Sequence, residues 1–107
     1  MEPIRISPSE AYRRAKDGIA ILVCAYPDEE TCSKMWLRGA ITRTEFQDRL
    51  PDFKKGQEII FYCAWTGEAT SAGQAMKYTM MGYKNVKFLD GGVEAWKKTG
   101  YEIVREP

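Results

Sequence analysis

Mainly apolar segments of strand length alternate with helical segments along this chain. Residues 20–24 are an unbroken apolar run, residues 58–63 are a second run in which Glu58 precedes five apolar residues, and residues 86–89, which include Lys87, are a shorter third strand candidate. A continuous apolar run, without polar residues at alternate positions, is typical of a strand that is buried on both faces of a parallel sheet. Residues 40–41, which follow Gly39, predict a short edge strand.

Helical segments separate the predicted strands. Residues 7–10, Ser-Pro-Ser-Glu, have the form of a capping box with Ser7 as the N-cap, and they predict a helix that ends near Gly18. Further helices are predicted over residues 44–50, 71–81 and 93–98. In the helix over residues 71–81, three- and four-residue spacing predicts one buried stripe. That stripe consists of Ala72, Ala75, Met76, Thr79 and Met80.

The order of these elements predicts an α/β domain with a parallel sheet that helices cover on both faces. A length of 107 residues suits a single domain over residues 1–107 and is too short for two independent cores. Sixteen Lys and Arg against fifteen Asp and Glu leave a formal charge of +1, so no basic field attracts nucleic acid. The chain has neither a membrane-length apolar stretch nor a signal-peptide pattern. We therefore expect no nucleic-acid or membrane partner and a cytoplasmic location.

The cysteine and histidine content limits the chemistry. Cys24, Cys32 and Cys63 are an odd number without CxxC spacing, and the chain has no histidine. The sequence therefore predicts neither a disulfide framework nor a metal site, and no cofactor. Without histidine, the commonest general base and the Cys–His nucleophile pair are both excluded. A cysteine nucleophile in this chain must be activated in another way.

Cys63 is the candidate nucleophile. It ends a predicted strand and is followed by a loop and a helix that begins near Ser71, with Thr70 or Ser71 as the expected N-cap. Ligands of α/β folds usually bind at this position, at the carboxyl end of a parallel strand. The unpaired N–H groups and partial positive charge of a helix N-terminus favour a thiolate over a thiol. A buried core cysteine is the alternative interpretation of Cys63.

Several segments give the chain a resemblance to the rhodanese-like domain family. The resemblance covers nearly the whole chain and includes residues 6–10, 38–41, 82–86 and 100–101. Its most specific part is Leu-Asp-Gly-Gly-Val-Glu-Ala-Trp over residues 89–96. It implies a small α/β sheet of order 1-5-4-2-3.

The resemblance also implies a function and its site. Such a protein is a sulfurtransferase or sulfur-relay protein, in which Cys63 accepts sulfane sulfur as a persulfide from a small donor and passes it to a thiol or protein acceptor. The amides and side chains of the following loop would bind the substrate and stabilise the anionic persulfide. These residues are Ala64, Trp65, Thr66, Gly67, Glu68, Ala69 and Thr70.

The loop departs from the usual family form, Cys-x-x-Gly-x-Arg. It is two residues longer and ends at Thr70, and Ala69 stands where the phosphatase and arsenate-reductase branch has its oxyanion-binding arginine. A minority group with Cys-x-x-Pro-x-Glu-Ala-Thr-Ser is more similar, and its members can carry cysteine or selenocysteine at the position of Trp65. Glu68 would repel anions such as thiosulfate and phosphate, unless it is simply a solvated loop charge.

Two other functions remain open. Cys24 ends the strand that neighbours the Cys63 strand in the implied sheet order, so it is a candidate resolving thiol for a persulfide or sulfenate on Cys63. Alternatively, Cys24 is a small core residue, and Cys32 is expected to be a loop thiol without a catalytic role. The chain could therefore be a thiol redox protein that pairs Cys63 with Cys24. It could also be a non-catalytic rhodanese-like module that binds a partner.

Overall fold

A computed structural model describes residues 3–64, 69–101 and 103–104 of the chain. Its strands are β1 (Ile4–Ile6), β2 (Ala20–Cys24), β3 (Trp36–Leu37), β4 (Glu58–Tyr62), β5 (Val86–Leu89) and β6 (Ile103–Val104). Its helices are α1 (Pro8–Lys16), α2 (Glu29–Ser33), α3 (Arg43–Arg49), α4 (Ala69–Met80) and α5 (Gly92–Lys98), and a 3₁₀ turn (Leu50–Asp52) follows α3. The sequence pattern did not locate β1, α2, β3 or β6, which are all five residues or shorter.

Four parallel strands form the main sheet, in the order β1-β5-β4-β2. All five residues of β4 are buried, including Glu58 at its start, which confirms the predicted buried strand. The implied order 1-5-4-2-3 is retained for these four strands. The predicted edge strand at residues 40–41 is reduced to one parallel bridge between Val23 and Ile41. The preceding strand β3 pairs with β6 in a separate antiparallel pair.

Helices cover both faces of the sheet, as predicted. Successive side chains of a strand point to opposite faces, and the buried residues accordingly divide into two clusters. Ile60 and Tyr62 belong to the cluster that α1 and α5 cover through Ala11 and Trp96. The other cluster lies under α3 and α4 and contains Ile59, Phe61, Phe46 and Tyr78. We call these the α1/α5 face and the α3/α4 face.

The helix starts agree in part with the sequence prediction. Ser7 caps α1, and its hydroxyl accepts a hydrogen bond from the Glu10 N–H at 3.3 Å. Helix α4 begins at Ala69, two residues before the predicted start. In the described part of the chain, no helix is long and apolar enough to cross a membrane.

The predicted buried stripe of α4 is confirmed only in part. Ala75 is buried, but Met80 is 75% exposed and the other predicted members are half-buried. The helix also buries Ser71 and Tyr78, which lie outside the predicted stripe. The aromatic ring of Tyr78 explains this, because it packs on Phe46 and Phe61 with ring centroids 5.0 and 5.7 Å apart. The helix therefore turns the tyrosine towards the sheet and leaves Met80 in solvent.

Candidate active site

Cys63 follows directly after the central strand β4, and its side chain is fully buried. The first turn of α5 fixes the backbone at this point. The Val93 N–H donates to the Cys63 carbonyl at 2.9 Å, and the Glu94 N–H donates to the Ala64 carbonyl at 3.0 Å. Cys63, at which the chain leaves the sheet, is therefore held by α5 as well as by β4.

Two glycines make this contact with α5 possible. Gly91 and Gly92 both have positive φ, at 74° and 63°, a region that favours glycine. A Cβ at position 91 would lie 2.6 Å from the Ala95 Cβ. The Gly-Gly pair of the 89–96 segment therefore turns the chain sharply from β5 into α5, close to Cys63.

The Cys63 thiol lies 3.4 Å from the hydroxyl oxygen of Ser71, and both side chains are fully buried. Ser71 is the third residue of α4, so the sulfur lies beside the first turn of a 12-residue helix. N–H groups in a first helical turn have no intrahelical acceptor, and the helix dipole there favours negative charge. Sequence reasoning considered Ser71 only as a helix cap; the structure gives it a contact with the candidate nucleophile.

The predicted loop residues have different outcomes. Trp65, Thr66, Gly67 and Glu68 lie outside the described residues. Ala64 is half-buried at the start of the loop. Ala69 and Thr70 belong to the first turn of α4 and not to the loop, which corrects the predicted loop length. The sequence predicted a loop that ends at Thr70, whereas in the structure α4 already begins at Ala69.

A disulfide joins Cys24 to Cys32, with the two Cα atoms 6.1 Å apart. The expectations of no disulfide and of a loop thiol at Cys32 are therefore wrong, because α2 brings Cys32 back against the end of β2. Cys24 lies beside Tyr62 and shares the α1/α5 face with it. The Cys63 thiol instead contacts α4, on the α3/α4 face. In this structure the partner of Cys24 is thus Cys32 and not Cys63.

The loop that the disulfide closes also contacts the candidate site. It contains Tyr26, whose hydroxyl oxygen accepts a hydrogen bond from the Ala64 N–H at 3.3 Å. The Arg43 guanidinium donates to the Ala25 carbonyl at 3.0 Å and so ties the same loop to α3. Ala64, the residue after Cys63, is therefore held by Tyr26, for which the sequence predicted no role.

Metal-binding potential is low in the described residues. These ranges contain no group of three or more His, Cys, Asp or Glu side chains that could hold a metal ion. The arrangement around Cys63 is instead that of a single sulfur atom beside a hydroxyl and a helix N-terminus. Such a site can support nucleophilic attack by a thiolate and can stabilise the anion that results.

Comparisons with known proteins agree with the fold. A family model described as Rhodanese-like domain matches residues 7–99. A comparison with curated protein sequences found no match. Among solved structures, a Bacillus halodurans protein is similar with a TM-score of 0.79 at 24% identity, covering 95% of this chain and 77% of that chain.

Two further structures carry functional descriptions. One is a polysulfide-sulfur transferase from Wolinella succinogenes, with a TM-score of 0.70 at 17% identity, covering 97% of this chain and 80% of that one. The other is a Rhodopseudomonas palustris protein of unknown function, described as a possible tyrosine phosphatase, with a TM-score of 0.74 at 20% identity. It covers 95% of this chain and 85% of that one. At these identities the similarity supports the shared fold.

Proposed function

The chain belongs to the rhodanese-like domain family, and from this membership we propose that it is a sulfurtransferase or sulfur-relay protein. Cys63 is the proposed carrier of sulfane sulfur. The observation that carries the proposal is the position of its thiol, at the carboxyl end of the central parallel strand and 3.4 Å from the Ser71 hydroxyl in the first turn of α4. Ligand chemistry in α/β folds is concentrated at this end of the sheet.

The proposed reaction has two balanced steps. The Cys63 thiolate attacks the outer sulfur of a donor such as thiosulfate; the new S–S bond forms as the donor S–S bond breaks, and sulfite leaves with the electron pair. A thiolate acceptor then attacks the terminal sulfur of the persulfide, takes that sulfur, and returns Cys63 as a thiolate. The Ser71 hydroxyl and the first-turn amides of α4 would stabilise the anion in both steps. No histidine is needed, because the attacking and leaving groups are both anions.

The burial of Cys63 sets the requirement for a donor. Since the side chain is fully buried, the donor must be small and must enter past the residues that follow Cys63. We propose that this segment binds the donor. It consists of Ala64, Trp65, Thr66, Gly67, Glu68, Ala69 and Thr70. The description of the Wolinella succinogenes protein makes polysulfide a suitable second probe beside thiosulfate.

The test is mass spectrometry after exposure to a donor. The protein is incubated with polysulfide or thiosulfate, and its modified peptide is mapped. We expect a gain of about 32 Da, one sulfur atom, on Cys63 in the wild type and none in Cys63→Ser. A Cys24→Ser, Cys32→Ser double variant is the matched control and should load normally, because its disulfide lies on the opposite face of the sheet. A wild type that fails to load, or an adduct that survives Cys63→Ser, contradicts the proposal.

Glu68 is proposed to disfavour anionic donors. If its carboxylate faces the bound donor, Glu68→Arg replaces a repulsive charge by an attractive one and should speed loading by thiosulfate about tenfold, at a surface-like effective dielectric. Glu30→Arg, which makes the same change of charge on α2, is the control. Stopped-flow detection of sulfite release gives the rate. Equal rates for Glu68→Arg and wild type would exclude this role for Glu68.

A non-catalytic binding module is the second candidate, because the complete burial of Cys63 also suits a structural cysteine. The absence of any adduct with either donor would favour it. A redox role that pairs Cys63 with Cys24 would require the Cys24–Cys32 disulfide to open and Cys24 to exchange partners. Disulfide mapping in the same experiment distinguishes that outcome, since Cys63 and Cys24 would appear in one linked peptide.

A further inference from the structure

A cavity of about 570 Å³ lies on the α1/α5 face of the sheet, with Leu22 of β2 among its lining residues. Its walls are formed by α1, by the turn after β3, and by α5 and the residues that follow α5. The Cys63 thiol contacts α4 on the opposite face, so this cavity is separate from the candidate active site. Small-molecule sites in proteins usually have volumes of roughly 300–1,000 Å³.

Aromatic rings make up one wall of this cavity. The Tyr12 and Tyr101 rings are stacked, with centroids 4.2 Å apart and planes 3° from parallel. The Trp96 ring lies 5.8 Å from Tyr12 and 5.3 Å from Tyr101, and it is almost fully buried. A rigid wall of three rings suits a flat apolar group, which can stack on it or contact its edges.

Two cationic side chains lie at the same cavity. Lys16 extends from α1, with its Nζ 5.9 Å from the Tyr12 ring centroid. Arg38 follows β3, is exposed, and has no ion-pair or hydrogen-bond partner in the described residues. The described lining residues include no carboxylate. The local charge therefore favours an anion, and a guanidinium can bind a carboxylate or sulfonate through two hydrogen bonds.

From this combination we propose that the cavity, which we call the aromatic cleft, binds a small planar aromatic anion. The ring system of the ligand lies against Tyr12, Tyr101 and Trp96, and its acid group faces Arg38 and Lys16. Both halves of the ligand are required, because surface charges alone contribute little binding energy and an aromatic wall alone does not select for charge. The role is independent of sulfur transfer at Cys63.

The test compares 2-naphthoate with its neutral analogue, 2-naphthamide, by NMR titration of the ¹⁵N-labelled full chain. We expect naphthoate to shift the amides of Ala15, Gly39 and Gly100, which line the cleft, and to bind at least about fivefold more tightly than the amide analogue. Equal affinities for the two compounds would overturn the selection for an anion. If millimolar naphthoate left these amides unshifted, the cleft would not be a ligand site.

Variants locate the two halves of the site. A Lys16→Gln, Arg38→Gln double variant should bind naphthoate about fivefold more weakly than the wild type does, and its affinity for naphthamide should be unchanged. Lys54→Gln, on the 3₁₀-turn side of the molecule, is the matched control and should bind both compounds as the wild type does. Ala15→Phe should fill the cleft and abolish binding of both compounds; the charge variant keeps the test valid if Ala15→Phe fails to fold. Wild-type affinity for naphthoate in the double variant would contradict the assignment.

Discussion

The contact between Ser71 and Cys63 is the residue-scale feature on which the proposed chemistry depends most directly. The hydroxyl lies 3.4 Å from the sulfur, and water does not reach either side chain. A buried thiolate or persulfide has to receive hydrogen bonds, because burial without them costs several kcal/mol. In the proposed reaction, the hydroxyl donates to the sulfur anion as it forms.

We predict that Ser71→Ala slows sulfur loading of Cys63 about tenfold or more, since a hydrogen bond to a charged group contributes about 1.5–3 kcal/mol. The loading rate is measured by mass spectrometry at a fixed polysulfide concentration. Ser9→Ala, which removes a hydroxyl on α1, is the control and should load at the wild-type rate. Unchanged loading in Ser71→Ala would show that the anion is stabilised by other groups.

The sequence predicts Cys63 as the nucleophile but does not predict its contact with the Ser71 hydroxyl. Cys63 was predicted because an apolar strand runs into a loop and a helix start, a signal that is local in the chain. The role of Ser71 depends on where α4 begins, and helix boundaries are set by tertiary packing as well as by cap residues. With α4 starting at Ala69, the serine is in the first turn and buried, facing the sulfur.

At the scale of elements, the disulfide joins the end of β2 to α2 and closes a loop that includes Tyr26. Asp28 caps α2 by accepting from the Glu30 N–H at 3.1 Å, and this helix start directs Cys32 back towards β2. Such a pairing could not be predicted from cysteine counting, because the odd number of cysteines and the absence of CxxC spacing argued against it. Only the path of the chain after β2 brings the two sulfurs together.

We predict that the Cys24→Ser, Cys32→Ser variant has a free energy of unfolding lower by about 2.5 kcal/mol, because the disulfide restricts a short loop in the unfolded chain. Urea unfolding with and without dithiothreitol measures this. The reductant should destabilise the wild type by a similar amount and should leave the double variant unchanged. Cys63→Ser, which does not touch the disulfide, should retain the response to reductant. A wild type that is insensitive to complete reduction would contradict a stabilising role.

At the scale of the whole molecule, the sequence predicted the two-faced packing and the succession of strands well. Three strands and the start of α1 agree closely with their local signals, because strand-length apolar segments and a capping box act over few residues. The short elements β3 and β6 pair across the chain and have no local signal of comparable strength. The stripe of α4 was predicted only in part for a related reason: which side of the helix faces the sheet depends on where the Tyr78 ring packs.

Glu58 is a buried charge that connects three elements of this packing. It begins β4, its side chain is only 1% exposed, and it forms ion pairs with Arg14 of α1 and Lys87 of β5. Burial acts to raise the pKa of Glu58, but the hydrogen bonds and charges of Lys87 and Arg14 outweigh it, so the pKa is lowered from its ordinary value of 4.5. The folded state therefore binds this proton more weakly than the unfolded state does.

The sign of this shift fixes a pH dependence of stability. Above the ordinary pKa of 4.5 the ionised Glu58 contributes its full stabilisation, and this contribution is lost as the pH falls through the lower pKa of the folded state.

We predict that Glu58→Gln lowers the free energy of unfolding at neutral pH by about 3 kcal/mol, because it leaves two partly buried cations without their anion. The variant should also lose less stability than the wild type between neutral pH and about pH 3. Urea unfolding across this range measures both effects, with Glu45→Gln, from an exposed pair with Arg49, as the control that changes stability by under about 1 kcal/mol. Parallel stability curves for wild type and Glu58→Gln would mean that other carboxylates govern acid unfolding, and that this buried triad does not hold α1 and β5 to the central strand.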